Sequence, residues 1–207
     1  MSIFCYNKST FIKGSALIPD HDYLKTVTIG APETPKDTIV LCDYDPHWPA
    51  LYAQEHVKIA RALAGQSVRI EHVGSTSVPG LCAKPIIDIL LLVDDAASEE
   101  RYAPALEAAG YTLRVREPDW YEHRMFKGQS PTVNLHVFSQ GCDEAQRMLA
   151  FRDHLRSHAA DRERYAAEKR RLAAQKWTYV QDYADAKTAV VQEILAHISA
   201  LPLTSIQ

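Results

Sequence analysis

The chain has 207 residues, of which 46% are hydrophobic and 24% charged, and its formal net charge is −3 at pH 7. Such values are typical of a globular protein with one hydrophobic core. The negative charge argues against general nucleic-acid binding, which usually requires a strongly basic domain. No apolar run approaches the roughly 20 residues that cross a bilayer, so we expect no membrane span.

The amino terminus and the cysteines bear on the location of the protein. No long apolar segment precedes a small-residue cleavage site near the start of the chain, so we predict no signal peptide. The 4 cysteines are widely spaced and form no C-x-x-C pair. That spacing is typical neither of a zinc ribbon nor of a disulfide framework. A reducing cytoplasm is therefore the expected compartment.

The first part of the chain is predicted to be an extension of the domain that follows. Residues 1–38 show no sustained periodicity, and a proline-rich run at 31–35 reads as a linker. We expect this extension to be partly ordered or flexible. A single domain is predicted at 39–200, followed by a short tail at 201–207.

Side-chain periodicity predicts the elements of this domain, because helices repeat every 3.6 residues and strands every second residue. The expected strands are 38–42, 70–73, 86–93, 111–115, 124–128 and 132–138. The expected helices are 48–63, 99–109, 143–158, 159–174 and 178–200. This order predicts an α+β (mixed α/β) fold, in which helices flank one sheet and form the C-terminal third of the chain.

The most informative stretch joins a small-residue turn to an apolar strand. The turn consists of Gly74, Ser75, Thr76 and Ser77. Asp88 interrupts the strand that follows, and a buried carboxylate needs a hydrogen-bond partner, a cation or a metal, or a place at a cleft. Backbone N–H groups and hydroxyls of a turn can hold phosphate oxygens. A carboxylate beside them can hold a divalent metal. A phosphate-binding turn and a metal-binding carboxylate together are the minimum for nucleotidyl or phosphoryl transfer. A Gly-Ser turn alone is more often only a tight turn.

Basic side chains are candidates for neutralising phosphate charge. Lys84, Arg124 and Arg152 are the ones we select, although each alone is more commonly a solvated surface cation. The mixed-sign run at 162–171 is interpreted as an exposed, salt-bridged helix face. A second interpretation is that some cations of this run cover the open cleft of the sheet, and Arg152, Arg156 and Lys187 belong to the same weaker set.

His136 is the second candidate beside Asp88. Its strand places Asn134 and His136 on one face, while the apolar residues Val133, Leu135 and Val137 lie on the other. Imidazole binds zinc and other transition metals, so His136 and Asp88 are candidates to share a metal or a phosphate. A histidine with apolar flanks is more often a hydrogen-bonded structural residue. Glu71 or His72 are further candidate metal ligands.

Several motifs together resemble the GrpB family. They are Tyr44-Asp45-Pro46-x-Trp48-Pro49, the block IEHVGSTSVPGLCAKPIIDILL, the strand NLHVF and the later pattern LAFRDHLRSH…YAAEKRRLA…Y…AK. The resemblance covers residues 44–195, and its central block is long and specific. GrpB proteins resemble the nucleotidyltransferase superfamily, which implies a mixed β-sheet flanked by helices.

The resemblance also implies roles for individual residues. Gly74 and Ser75 match the superfamily's Gly-Ser turn, and Asp88 matches the first of two carboxylates spaced as carboxylate-x-carboxylate. The second position holds Leu90, which departs from the pattern. His136 stands where a third acid is expected. Two-metal catalysis normally needs a set of anionic ligands, so this departure puts the two-metal mechanism in doubt.

Two functions therefore remain open. The first is transfer of a nucleotidyl or phosphoryl group from ATP or another nucleoside triphosphate, with Mg²⁺ or another divalent metal, to a small-molecule acceptor. In this interpretation Asp88 and His136 are catalytic. The second is a catalytically degenerate ligand-binding or folding-accessory module on the same fold, which Leu90 favours. Its precedent is that a domain of the family is fused to dephospho-CoA kinase in some relatives.

Overall fold

The computed structural model describes residues 10–13 and 16–200, with side chains described for 20–199. The strands are β1 (Thr10–Lys13), β2 (Ala16–Pro19), β3 (Arg69–Val73), β4 (Ile87–Val93), β5 (Thr112–Glu117), β6 (His123–Gln129) and β7 (Thr132–Ser139). The α-helices are α1 (His21–Val27), α2 (Trp48–Ala62), α3 (Ala103–Ala108), α4 (Asp143–Ser157), α5 (Ala159–Ala173), α6 (Val180–Asp185) and α7 (Thr188–Ala200). The predicted tail and part of the predicted extension lie outside the described residues.

One mixed sheet organises the domain. Its strand order is β3–β4–β7–β6–β5. β4 and β7 are parallel, and the other neighbouring pairs are antiparallel. Helices pack on both faces of this sheet, which confirms the predicted α+β class. No helix in the described part of the chain has both the length and the apolar character needed to cross a membrane.

The two faces of the sheet differ in chemistry because side chains alternate along each strand. Asp88 and Asn134 are in register on one face, here called the Asp88 face. Helices α4, α5 and α7 pack on this face. Val133, Leu135 and Val137 lie on the opposite face, as predicted, and pack with α2 and α3.

The strand expected at 38–42 is not formed. Cys42 alone pairs with Ala83, through two backbone hydrogen bonds of 2.9 Å. Ile39 packs instead into a cluster with α5 and α6, while Val40 is exposed. Ile39 is therefore buried by packing against helices and not by a place in the sheet.

The long helix expected at 178–200 is divided into α6 and α7. The division falls at Ala186 and Lys187, where Lys187 N donates to the carbonyl of Ala184 rather than continuing the regular helical ladder. Periodicity alone does not reveal this break, because neither glycine nor proline marks it. Its consequence is that Lys187 lies at the junction of two helices, next to the sheet.

Residues 20–38 pack against the β5 edge of the sheet. Thr28 forms an isolated bridge to Val115. Leu24 and Val27 of α1 are buried, with 4% and 8% of their surface exposed. This part of the predicted extension therefore covers β5 and β6.

Removal of residues 1–38 is predicted to leave a folded but less stable domain. The main sheet and its two helical layers lie after residue 38, whereas loss of the α1 contacts should lower the free energy of unfolding by roughly 2–4 kcal/mol. Urea denaturation of the full and truncated chains measures this difference. Aggregation of the truncated chain, or no loss of stability, would contradict the prediction.

Candidate functional site

The turn after β3 lies directly against Asp88. Gly74 has φ 69° and ψ −173°, a conformation that essentially only glycine adopts. A Cβ atom built at Gly74 would also overlap the carboxylate of Asp88. Ser77 secures the turn, since its Oγ donates to the Gly74 carbonyl at 2.6 Å. Both the backbone conformation and the approach of Asp88 therefore require glycine here.

Asp88 finds its hydrogen-bond partner on the parallel strand β7. Asn134 Nδ2 donates to Asp88 Oδ1 at 2.8 Å. His136 Nε2 lies 4.0 Å from the same oxygen, and the Asp88 side chain is 13% exposed. Because Asn134 donates through its amide nitrogen, its carbonyl oxygen points elsewhere and has no partner among the described residues. The carboxylate is thus held at a cleft edge by an amide and remains open to a further cation.

Lysines from separate elements surround the turn and Asp88. Lys84 precedes β4, Lys169 lies on α5, and Lys187 lies between α6 and α7. Lys169 Nζ donates to Ser75 Oγ at 2.7 Å. These lysines, here called the lysine cluster, line with Asp88 a cavity of about 20 Å³, which has room for about one water molecule.

Burial disfavours the charged form of each lysine in the cluster. Burial lowers the pKa of Lys84, lowers that of Lys169 to about 8, and lowers that of Lys187 well below its usual value. Lys187 gains some compensation from the ring of Tyr183, whose centroid lies 4.6 Å from its Nζ. Asp88 favours the charged form of all three lysines, Glu33 adds to this at Lys84 and Asp185 at Lys187, but burial outweighs them, so an anionic ligand would favour the ammonium forms.

A buried line of side chains leads from Asp88 across the sheet. His136 Nδ1 lies 3.0 Å from His123 Nε2, and His123 Nδ1 lies 2.7 Å from Glu117 Oε2. A hydrogen bond donated by His123 Nδ1 to the Glu117 carboxylate makes His123 Nε2 an acceptor for His136 Nδ1, so His136 Nε2 is left as an acceptor facing Asp88. Burial, which lowers the pKa of His136 well below its usual value, favours that neutral ring. His136 can therefore accept a proton or bind a cation at Nε2.

The residues present fit one divalent cation and not two. The Asp88 carboxylate and His136 Nε2 are its available ligand atoms. Mg²⁺ commonly binds through one or two carboxylates and completes its shell with substrate phosphates and water. Leu90 is fully buried, so the second carboxylate position offers no ligand. No group of three His, Cys, Asp or Glu residues within the described ranges is arranged to hold a metal.

Glu71 and His72 do not join this set. Glu71 lies on the Asp88 face, but its Oε2 accepts a hydrogen bond from Arg152 at 2.8 Å. His72 points to the opposite face and stacks on Tyr52 of α2. Burial lowers the pKa of His72 to about 3, which keeps this ring neutral.

Arg124 and Arg152 lie away from the cavity. Arg124 is in register with Val137, on the opposite face, and forms an ion pair with Glu99. Arg152 donates to the backbone carbonyl of His72 at 3.0 Å, so it ties α4 to β3. Of the selected basic residues, the structure brings only Lys84 to the turn that contains Gly74, Ser75, Thr76 and Ser77.

Sequence reasoning did not single out Lys169, although its second interpretation placed some cations of 162–171 over the cleft. The interpretation of 162–171 as an exposed face is wrong for Lys169, which is 3% exposed. A signal was present, because Tyr165, Lys169 and Leu172 follow one another at helical spacing and all three are buried. Lys187 follows Tyr183 by four residues in the same way. A lysine in the apolar stripe of a helix is the pattern that indicates such a site.

The GrpB family model, described as "GrpB protein", matches residues 38–197. The chain belongs to the GrpB family. UPF0157 protein BH1888 of Halalkalibacterium halodurans is 55% identical over 177 residues, covering 86% of this GrpB-family chain and 91% of that protein. The crystal structure of conserved protein GrpB from Enterococcus faecalis aligns with a TM-score of 0.66 and 28% identity, over 77% of this chain and 96% of that chain. The predicted family is therefore confirmed.

Two further similarities concern differently named proteins. A dephospho-CoA kinase of Mycolicibacterium paratuberculosis is 33% identical over 153 residues, covering 61% of this GrpB-family chain and 37% of that protein. A structure of the Cid1 poly(U) polymerase aligns with a TM-score of 0.43 and 11% identity, over 65% of this chain and 41% of that chain.

Substitution of Gly74 tests the contact between the turn and Asp88. Gly74→Ala should lower the free energy of unfolding by roughly 2–5 kcal/mol, because strain and overlap with the carboxylate act together. Asp88→Ala should recover part of this loss in the double variant, with a coupling of about 1 kcal/mol or more in a double-mutant cycle. Gly65→Ala, at positive φ with open space around it, is the control. Strictly additive effects would contradict the contact.

The pKa of Lys169 predicts a pH dependence of anion binding. Because burial lowers that pKa to about 8, the ammonium group is charged near neutral pH and loses its proton as the pH rises through that value. Sulfate keeps its charge over this range, so its stabilisation of the protein should shrink between about pH 7 and about pH 9.5. Thermal melts with and without sulfate measure it. Equal stabilisation at both values would contradict a role for the lysine cluster.

Proposed function

We propose that the domain binds the phosphate chain of a nucleoside triphosphate at the lysine cluster and the turn at Gly74. A nucleotidyl or phosphoryl group is then transferred to a small-molecule acceptor. The observation that carries the proposal is the burial of Lys169 and Lys187, with the half-buried Lys84 beside them, around the carboxylate of Asp88. Buried ammonium groups are costly unless an anion accompanies them, and a triphosphate supplies several negative charges at this spacing.

Each residue has a definite task in this function. The lysine ammonium groups bind phosphate oxygens, and the hydroxyl of Ser75, which already accepts from Lys169, donates its own proton to the ligand. His136 takes up the proton of the attacking acceptor at Nε2, and His123 and Glu117 support the resulting charge. Asp88 would hold one Mg²⁺ ion through its carboxylate, which would withdraw charge from a phosphoryl oxygen when bound, and His136 Nε2 is left free for the proton.

The cavity is smaller than this ligand. Its volume of about 20 Å³ admits about one water molecule, so triphosphate binding requires the lysine side chains and α6 to move outward. Lysine side chains are long and flexible, and α6 is short, so such movement is local.

A second candidate function is a ligand-binding or folding-accessory module without chemistry. Leu90 in place of a second carboxylate is the observation that favours it. The dephospho-CoA kinase relative, in which the matching region is a minor part of the chain, gives this candidate a context. Such a module would retain the fold and the lysine cluster but would not release pyrophosphate or transfer phosphate.

Calorimetry with Mg²⁺ and a panel of nucleoside triphosphates tests the proposal. The natural chain should bind at least one triphosphate, and Lys169→Met should weaken binding about tenfold or more, because a charge-assisted hydrogen bond contributes roughly 1.5–3 kcal/mol. Asp88→Asn should remove the metal dependence. The exposed Lys176→Met is the matched control and should bind normally.

The outcomes separate the two candidates. Triphosphate binding supports the transferase when an acceptor is converted either to its nucleotidyl product with release of pyrophosphate or to its phosphorylated product with release of a nucleoside diphosphate. Binding that needs no metal and yields no product with any acceptor supports the accessory module. An absence of triphosphate binding would sink the transferase.

A further inference from the structure

A second and larger cavity lies beside the lysine cluster and belongs to no part of the function described above. Its volume is about 470 Å³, within the range of roughly 300–1,000 Å³ that is usual for small-molecule sites. Strands β5 and β6 form its floor, and residues 24–34 form its roof. The roof lies before residue 38, where the GrpB family match begins, so family membership does not predict this cavity.

The charged groups that line this cavity are already paired. Arg114 donates to the backbone carbonyls of Ile29 and Ala31 at 3.0 Å each. Lys127 forms an ion pair with Glu33 of the roof. Both interactions hold the roof on the sheet. Glu33 neutralises Lys127, while the partly exposed Arg114 guanidinium keeps its charge but has its Nε and Nη2 donors used by the two carbonyls. The cavity is therefore suited to a ligand portion without net charge.

The remaining lining combines apolar surface with neutral hydrogen-bonding groups. Leu24, Val115 and Met125 supply the apolar part, and the side chains of Gln129 and Thr132 supply amide and hydroxyl groups. The ring of Tyr179 also lines the cavity. A flat heterocycle attached to a sugar has matching chemistry, since it offers apolar faces, edges that donate and accept, and hydroxyls.

The two cavities lie on the same face of the sheet. Lys127, on the floor of the larger cavity, is in register with Asn134, and Asn134 is in register with Asp88. Two strand spacings separate Lys127 from Asp88, which is about 10 Å between backbones. A neutral pocket therefore adjoins a cationic one at a separation that one extended molecule can span.

We propose that the larger cavity binds the base and ribose of the nucleoside triphosphate whose phosphates occupy the lysine cluster. This inference rests on the proposed function. It assigns residues 24–34 to the nucleotide site and makes Gln129 and Thr132 determinants of nucleoside binding. Bare polyphosphate then uses only the lysine cluster, whereas a nucleotide uses both cavities.

Comparison of a nucleotide with inorganic tripolyphosphate tests this assignment in the full chain. Calorimetry is carried out with tripolyphosphate and with ATP, GTP, CTP and UTP. At least one nucleotide should bind about tenfold tighter than tripolyphosphate, because the nucleoside adds apolar burial and hydrogen bonds. Thr132→Trp, an exposed position at the start of β7, should fill the cavity and reduce nucleotide affinity to that of tripolyphosphate.

Two further variants keep the result interpretable. Gln129→Ala combined with Thr132→Ala removes side-chain hydrogen-bonding groups without adding bulk, and it should weaken nucleotide binding severalfold while tripolyphosphate binding is unchanged. Val57→Trp on α2 is the control, because it places the same bulky side chain at an exposed site on the other side of the sheet. It should bind both ligands as the natural chain does.

Different failures point to different errors. Equal affinities of the natural chain for tripolyphosphate and for every nucleotide would overturn the nucleoside cavity and leave the phosphate site standing. An equal loss of both ligands in Thr132→Trp would also overturn it. Binding of neither ligand by the natural chain would overturn the proposed function and this inference with it.

Discussion

The contact between Asp88 and the turn at Gly74 is the constraint on which the rest of the site depends. A carboxylate inside an apolar strand must be compensated, and here the compensation comes from two directions. Asn134 donates from the parallel strand within the sheet, and lysines approach from the helical layer above it. Gly74 permits the turn to lie close enough to complete the site, since any side chain there would collide with Asp88.

The helical layer is arranged around the same contact. Lys169 extends from α5 to Ser75, and the division between α6 and α7 places Lys187 over the sheet. If residues 178–200 formed one continuous helix, Lys187 would lie inside that helix and the turn at residues 186–187 would be absent. The apolar stripe of α5 thus includes one lysine whose head group reaches a polar cleft while its stem packs among apolar side chains.

Much of the fold could be predicted from the sequence, because it depends on local periodicity. The alternation of β7 assigned Val133 and Leu135 to one face and Asn134 to the other, and the structure agrees. A charge in an apolar strand is costly unless it is compensated, so the sequence predicts a partner for Asp88. The structure shows that this partner is Asn134. The family was also evident from the central block, and residues 38–197 confirm it.

The rest depended on tertiary register, which one sequence does not reveal. Arg124 was selected by residue type, but the antiparallel register of β6 with β7 turns it to the opposite face. Lys169 lies in a run of mixed charges, and the packing of α5 on the sheet buries this lysine while its neighbours Arg170 and Arg171 are exposed. Residues 20–38 lacked periodicity, yet their backbone and buried side chains cover β5 and β6.

The central claim is that the lysine cluster is a phosphate site, and a crystal structure with a bound non-hydrolysable nucleoside triphosphate tests it most directly. The account predicts phosphate oxygens within hydrogen-bonding distance of the ammonium groups of Lys84, Lys169 and Lys187, next to Ser75. Phosphates bound only to the exposed arginines of α5, with the cluster and its single carboxylate untouched, would contradict it.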